Sequence, residues 1–391
     1  GDITLDQQNY LYNMESDPPI ADEYSPAVFL DNDNNLLFVG TTNGVSAIDT
    51  KGTGAQDDDE NLFDYDSTTI PGVGVDEYGQ TVIDVISEDK SQGLLYFGTN
   101  NGLAVVDRNG TANPVDDTLV GNYTASSLQN FPDGAARDVF IDSDKGLLYV
   151  STYFSGGFVV IKTQGTKTLS DDVVSRVYST TSSPINIGSN NVNSSYVKNG
   201  VLYISVNGRG LVTIDTLDDD DPTNDVLLKE YTTATTPALT HGRVRSSFVD
   251  DSTGFLYVSS YESTGGVTII DTKKTPKNAA DDTLVGTYTK TTTPALMDNY
   301  VERTILESNS GWLFVFASST GLSTAGVTII DTKKTNTLAD DVVVRNYTTE
   351  TEISLPGYIV NFNSFLVDPL RSLMYFGSDS GLAVINYEDL D

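Results

Sequence analysis

Residues 265–274 read Gly-Gly-Val-Thr-Ile-Ile-Asp-Thr-Lys-Lys, and residues 326–334 read Gly-Val-Thr-Ile-Ile-Asp-Thr-Lys-Lys. Weaker copies lie at 44–51, 102–108, 157–163, 210–216 and 381–387, seven in all. A period of this kind outranks any reading of single segments, because each copy is one unit that needs its neighbours to bury its apolar face. Around the copies glycine, threonine and β-branched residues are abundant, and long apolar stretches of helical period are absent. The chain is therefore read as all-β.

The third copy shows the unit most clearly. Arg137 to Asp142 alternates with period two, and a turn with Gly146 follows. Leu147 to Thr152, Leu-Leu-Tyr-Val-Ser-Thr, is a mostly apolar strand, and Gly156-Gly157 suits a tight hairpin because glycine tolerates positive φ. Phe158 to Thr163 is the third strand, and after a polar loop Val173 to Tyr178 is the fourth. The second strand recurs with an aromatic marking its register: Phe38, Tyr96, Tyr149, Tyr203, Tyr257, Phe314 and Tyr375, spaced 53 to 61 residues apart. Four short antiparallel strands repeated seven times predict a seven-bladed β-propeller, with residues 1–391 as one domain.

Fourth strands end on a tyrosine at 65, 123, 178, 231, 288 and 347, and an aspartate precedes each by six positions. The last copy lacks this strand, whereas Asp6 to Tyr12 has the same spacing. An N-terminal strand over about 4–13 is thus expected to complete the last blade and close the ring, hiding edges that would otherwise be exposed.

The motifs carry resemblances. Leu211-Val212-Thr213-Ile214-Asp215, followed by Lys229-Glu230-Tyr231, looks like the LVIVD repeat of bacterial and archaeal surface proteins, as does Leu284-Val285-Gly286-Thr287-Tyr288. The Ile-Asp-Thr ending is similar to the YVTN surface-layer propellers. Gly98-Thr99-Asn100-Asn101-Gly102-Leu103 is similar to the repeat of two-component regulator propellers. These resemblances imply secreted or surface-exposed, mostly non-catalytic modules. A Trp-Asp signature is absent and the sole tryptophan is Trp312, which argues against a WD40 repeat.

Composition narrows the function classes. Acidic residues number 55 against 22 basic ones, for a net charge of −33, which repels nucleic acid and anionic membranes and favours cation binding. There is no cysteine, hence no disulfide or thiolate metal site. No apolar run approaches the ~18 residues of a spanning helix. No signal peptide is visible at Gly1, so the chain is expected to be a processed form or an excised piece.

Two sets of residues are candidates for binding. Strand alternation groups Pro26, Asp84, Arg137, Asn193, Arg245, Arg303 and Asn363 at the mouth of a central channel, with Arg209, Arg243 and His241 in loops on that side. Five of the nine arginines would then share one face of an acidic protein, where their forks suit an acidic sugar or a partner's acidic tail. The alternative is that these arginines neutralise neighbouring aspartates and tie blades together. The opposite face carries Asp-Asp doublets ending at 59, 117, 172, 282 and 341, and the acidic run 218–221. Calcium takes six to eight oxygens, and Asp215, Asp219, Asp221 and Asp225 come nearest to its spacing; the competing reading is a set of capping turns. Asp31-Asn32-Asp33-Asn34-Asn35 is read as a hairpin turn, and the fourth-strand tyrosines as packing residues.

His241 is the only histidine, so a histidine triad or multi-histidine metal site is not expected. Carboxylate-pair chemistry stays open, though nothing marks one pair. Asn109, Asn122, Asn193 and Asn346 open glycosylation sequons. The leading expectation is a non-catalytic extracellular or cell-surface propeller that binds a surface protein or polysaccharide, or serves in adhesion or self-assembly. A lyase or hydrolase working at the channel mouth is the alternative.

Overall fold

Six of the second strands are buried along their whole length, as in Leu147–Thr152 and Phe255–Ser260, and the one in blade six is buried beyond its first residue, Trp312. Such a strand has no solvent face, so its sequence runs apolar where an exposed sheet would alternate. The computed structural model describes residues 8–70, 82–154, 156–318, 325–335, 337–348 and 361–387, and within them lie seven four-stranded sheets. Blades one to six span residues 27–65, 83–123, 136–178, 192–231, 244–288 and 301–348, each with its strands in chain order. Blade seven is built from Phe365–Asp368, Leu373–Ser378 and Gly381–Asn386, and its fourth strand is Gln8–Tyr12. That strand pairs antiparallel with Gly381–Asn386, Tyr12 opposite Leu382, so an N-terminal strand completes the last blade as the repeat spacing predicts; positions 4–7 of the expected span lie outside the described residues. The protein is a seven-bladed β-propeller.

The chain forms two compact units. One comprises residues 1–150, 161–174 and 352–391, and the other 151–160 with 175–351. In the first, the core between blades one and two joins Phe38, Ala47 and Tyr65 to Ile83, Leu95 and Phe97. In the second, the core between blades four and five joins Tyr203, Leu211 and Tyr231 to Val244, Leu256 and Val258.

The glycine opening each repeat is set by a close approach. A Cβ on Gly210 would stand 2.0 Å from the carbonyl oxygen of Tyr231, and one on Gly266 would stand 2.3 Å from that of Tyr288. Both glycines also adopt φ near +126°, which side chains rarely tolerate. Glycine and tyrosine are thus one feature: the end of the fourth strand presses on the start of the third.

The tyrosines do more than pack. Six of the hydroxyls donate a hydrogen bond to the aspartate that opens the fourth strand of the following blade. The pairs are Tyr12–Asp59, Tyr65–Asp117 and Tyr123–Asp172 in the first unit, and Tyr178–Asp225, Tyr231–Asp282 and Tyr288–Asp341 in the second. Except at Asp225, which follows Asn224, the ladder aspartate is the second member of an Asp-Asp doublet. The first member turns the other way and accepts from a loop threonine: Thr53 to Asp58 at 2.8 Å, Thr111 to Asp116 at 2.8 Å, Thr335 to Asp340 at 2.9 Å. One carboxylate fixes the loop and the next fixes the neighbouring blade.

A buried hydrogen bond to a charged group contributes about 1.5–3 kcal/mol. Tyr65→Phe and Asp117→Ala are each expected to destabilise the protein by roughly that amount. The double variant should lose clearly less than the sum, with a coupling of about 1 kcal/mol in denaturant titrations. Additive losses would show that the pair does not act as one contact.

Candidate functional site

Three of the expected channel-mouth residues, Asp84, Asn193 and Arg245, occupy β-bulges. The first strand slips by one against the second between Ile83 and Val85, between Val192 and Ser194, between Val244 and Ser246, and between Val301 and Arg303. The residues held in the bulges are Asp84, Asn193, Arg245 and Glu302. A bulge re-aims the extra side chain, and here it directs each one to the adjoining blade. In blade six the bulged residue is Glu302, whereas Arg303 is back in register opposite Phe316. The expectation for Arg303 is therefore corrected by one position. Counting back five residues from the acid that ends each first strand, Asp89, Asp250 or Glu307, finds the right residue.

In the first unit Asp84, Arg137 and Asn363 come together. Arg137 Nε stands 3.6 Å from Asp84 Oδ2, Asn361 Nδ2 donates to Asp84 Oδ1 at 2.9 Å, and Asn363 Nδ2 donates to the Arg137 carbonyl at 2.7 Å. Burial pushes the Asp84 carboxyl above its usual range, while Arg137 and Asn361 pull it back. In the second unit Asn193 Nδ2 donates to the Val244 carbonyl at 2.6 Å and Arg245 Nη1 donates to Asn193 Oδ1 at 3.3 Å. Arg245 Nε lies 3.1 Å from Glu302 Oε2, and Ser318 Oγ donates to Glu302 Oε1 at 2.9 Å. Arg243 pairs with Glu262 at 2.6 Å and Arg209 with Glu230 at 2.5 Å. Arg137, Arg209, Arg243 and Arg245 are thus each matched to a carboxylate, and Pro26 has no polar side chain to add to this network.

What distinguishes the blades is the hairpin between second and third strands. Among blades one to five and seven it is tight in one, two and seven, intermediate in four, and longer at 152–157 and 260–266. Each longer hairpin opens on a tyrosine, Tyr153 and Tyr261, within the second unit. Phe154 follows, 71% exposed at φ 76°, with its backbone N–H donated to Asn191 Oδ1 at 2.8 Å. An exposed phenylalanine held in a left-handed conformation costs about 1 kcal/mol, a sign of function more than of packing. The Tyr153 and Phe154 rings meet edge to face at 4.8 Å, and the Asn207 amide reaches the Tyr153 hydroxyl at 3.5 Å. Arg243 and Arg245 lie over the Tyr261 ring at 4.8 and 4.4 Å, with Tyr300 edge-on at 5.0 Å. These aromatics escaped the sequence reading because they lie outside the repeat. Unequal hairpin length was the available signal.

The four carboxylates matched to calcium do not converge. Asp225 accepts from Tyr178, Asp215 faces Lys277 at 2.7 Å, Asp219 accepts from Asn224 at 2.9 Å, and Asp221 accepts from the Thr223 hydroxyl at 2.6 Å. Among the described residues no three His, Asp or Glu side chains form a group able to hold a metal ion. Asp31 accepts the Asp33 N–H at 3.2 Å, making the hairpin turn expected there. His241 Nδ1 accepts the Arg243 N–H at 3.1 Å, which commits that nitrogen to loop geometry. Of the sequon asparagines, Asn193 is fully buried. Asn122 and Asn346 precede ladder-position tyrosines on fourth strands, and Asn109 bonds its own loop at the Asp116 carbonyl.

No family model and no curated protein matches the chain, so the LVIVD and surface-layer likenesses stand at the level of motif. Solved structures do match. The extracellular domain of the putative hybrid two component system BT4673 from B. thetaiotaomicron superposes with TM-score 0.62 at 18% identity, covering 96% of this chain and 42% of that one. The corresponding domain of BT3049 gives 0.61 at 14% identity, covering 96% and 42%. PorZ, a surface component of the type-IX secretion system of Porphyromonas gingivalis, gives 0.63 at 14% identity, covering 94% and 47%. The chain thus spans less than half the length of these proteins, and at such identity the likeness is one of fold. Among the described residues no helix is long and apolar enough to cross a membrane.

Glu302 and Arg245 are both largely buried, so Glu302→Ala should cost about 3 kcal/mol by leaving the guanidinium uncompensated. Addition of 5 mM calcium should leave the melting temperature where it stands in EDTA, since a bound ion would raise it.

Proposed function

We propose that this chain is a non-catalytic recognition propeller, working outside the cell or at its surface, that binds a partner protein or glycan through its lengthened hairpins. The observation that carries the reading is Phe154, strained and exposed beside Tyr153 where the tight hairpins carry no aromatic. Aromatic rings with amide and guanidinium neighbours are the groups that dominate recognition surfaces. Four of the arginines first assigned to an acidic ligand, Arg137, Arg209, Arg243 and Arg245, already have carboxylate partners, which favours a ligand read by ring faces over one read by charge. The extracellular sensor domains and the surface component among the structural neighbours support the location.

An array of neutral and acidic oligosaccharides and a panel of purified surface proteins, probed with wild type and Phe154→Ala, tests the reading. Saturable binding is expected, reduced at least tenfold in the variant at unchanged melting temperature. Binding unaffected by Phe154→Ala would place recognition elsewhere. Turnover of any oligosaccharide in the same mixtures would make the protein an enzyme.

A further inference from the structure

The tyrosine–aspartate ladder has a chemistry beyond tethering. In Asp59, Asp117, Asp172, Asp282 and Asp341 one carboxylate oxygen receives the tyrosine hydroxyl, and the other is buried with no hydrogen-bond partner. An ionised carboxylate has about four acceptor sites, and here it meets one donor. The surrounding charges make matters worse. Asp59 faces Asp58 and Asp49 against one cation, Lys51. Asp117 faces Asp116 and Asp107 against Arg108, and Asp172 faces Asp171 with no cation. Asp225 faces Asp219 and Asp221 against Arg176, and Asp282 faces Asp281 and Asp271 against Lys229. Asp341 faces Asp340 and Asp331 with no cation. Further buried tyrosines, Tyr10, Tyr96, Tyr203 and Tyr257, stand beside Asp59, Asp172, Asp282 and Asp341 and bring no positive charge. At every rung acids outnumber bases.

We propose that the ladder is a proton-operated clasp: its aspartates take up protons as the medium turns mildly acidic, and the blade-to-blade junctions tighten. Protonation removes the buried charge, relieves its repulsion from the doublet partner and leaves the tyrosine an oxygen to bond. Burial pushes Asp59, Asp117, Asp172 and Asp225 up to about 6, and Asp282 and Asp341 in the same direction. In an unfolded chain an aspartate titrates near ~3.9. A carboxyl raised on folding adds stability that is fully present below the unfolded value and is lost as pH rises through the folded one. The window therefore runs from about 4 to about 6, with greater stability on the acid side.

Thermal unfolding at pH 7.5 and 5.0, each in 0.15 M and 1 M salt, tests the clasp. The variants are Asp117→Asn/Asp172→Asn/Asp282→Asn and, as a control, the doublet partners Asp116→Asn/Asp171→Asn/Asp281→Asn. The wild-type melting temperature is expected to rise by several degrees on acidification at both salts. The ladder variant should show about half that rise, and the control nearly all of it. A wild-type melting temperature that falls or stays level on acidification overturns the proposal. So does equal flattening in both variants, which would assign the effect to overall charge. Should the ladder variant not fold, carboxyl titration of the wild type by NMR decides: aspartate midpoints near 6 support the clasp, and an absence of any above 5 overturns it.

Discussion

A tyrosine hydroxyl reaching the aspartate of the next blade is the contact on which this architecture leans. Hydrophobic burial holds neighbouring sheets face to face, but burial is non-directional and does not fix how far one sheet slides over another. The hydroxyl–carboxylate bond does. It anchors the end of one fourth strand to the beginning of the next, and other features of the repeat follow. The glycine leaves room for the tyrosine carbonyl. The doublet needs two aspartates because one secures the loop and the other the junction.

Most of the fold was legible in the sequence. The period, the register of the apolar second strand and the completion of blade seven by an N-terminal strand all leave local patterns, and the sheets carry them. The ladder did not stand out because its partners lie 47 to 53 positions apart. A composition of repeated aspartates looks the same whether the carboxylates face a cation, the solvent or a hydroxyl from another blade. The inner-strand residues were half legible: Asp84, Asn193 and Arg245 stand five residues before the end of their strands, whereas in blade six that position is Glu302 and Arg303 stands only four before Glu307.

The distribution of charge also makes sense in these terms. A net charge of −33 is spread over a surface from which the arginines have been withdrawn into ion pairs between strands and blades. Cations are spent on the frame, and the places free to vary are the hairpins, where length and aromatic content change from blade to blade. A repeat of this kind separates the residues that hold the fold from those that face outward.

The pairing of Gln8–Tyr12 with Gly381–Asn386 bears on how the molecule is made. Within blades one to six each strand meets its partners a few tens of residues along the chain, so those sheets can assemble as the chain emerges from the ribosome. Blade seven joins residues 370 positions apart, Tyr12 and Leu382. Gln8–Tyr12 is synthesised long before Gly381–Asn386, so until blade seven closes the N-terminal strand has no partner along that side. That bare edge is where a half-finished chain is open to pairing with another.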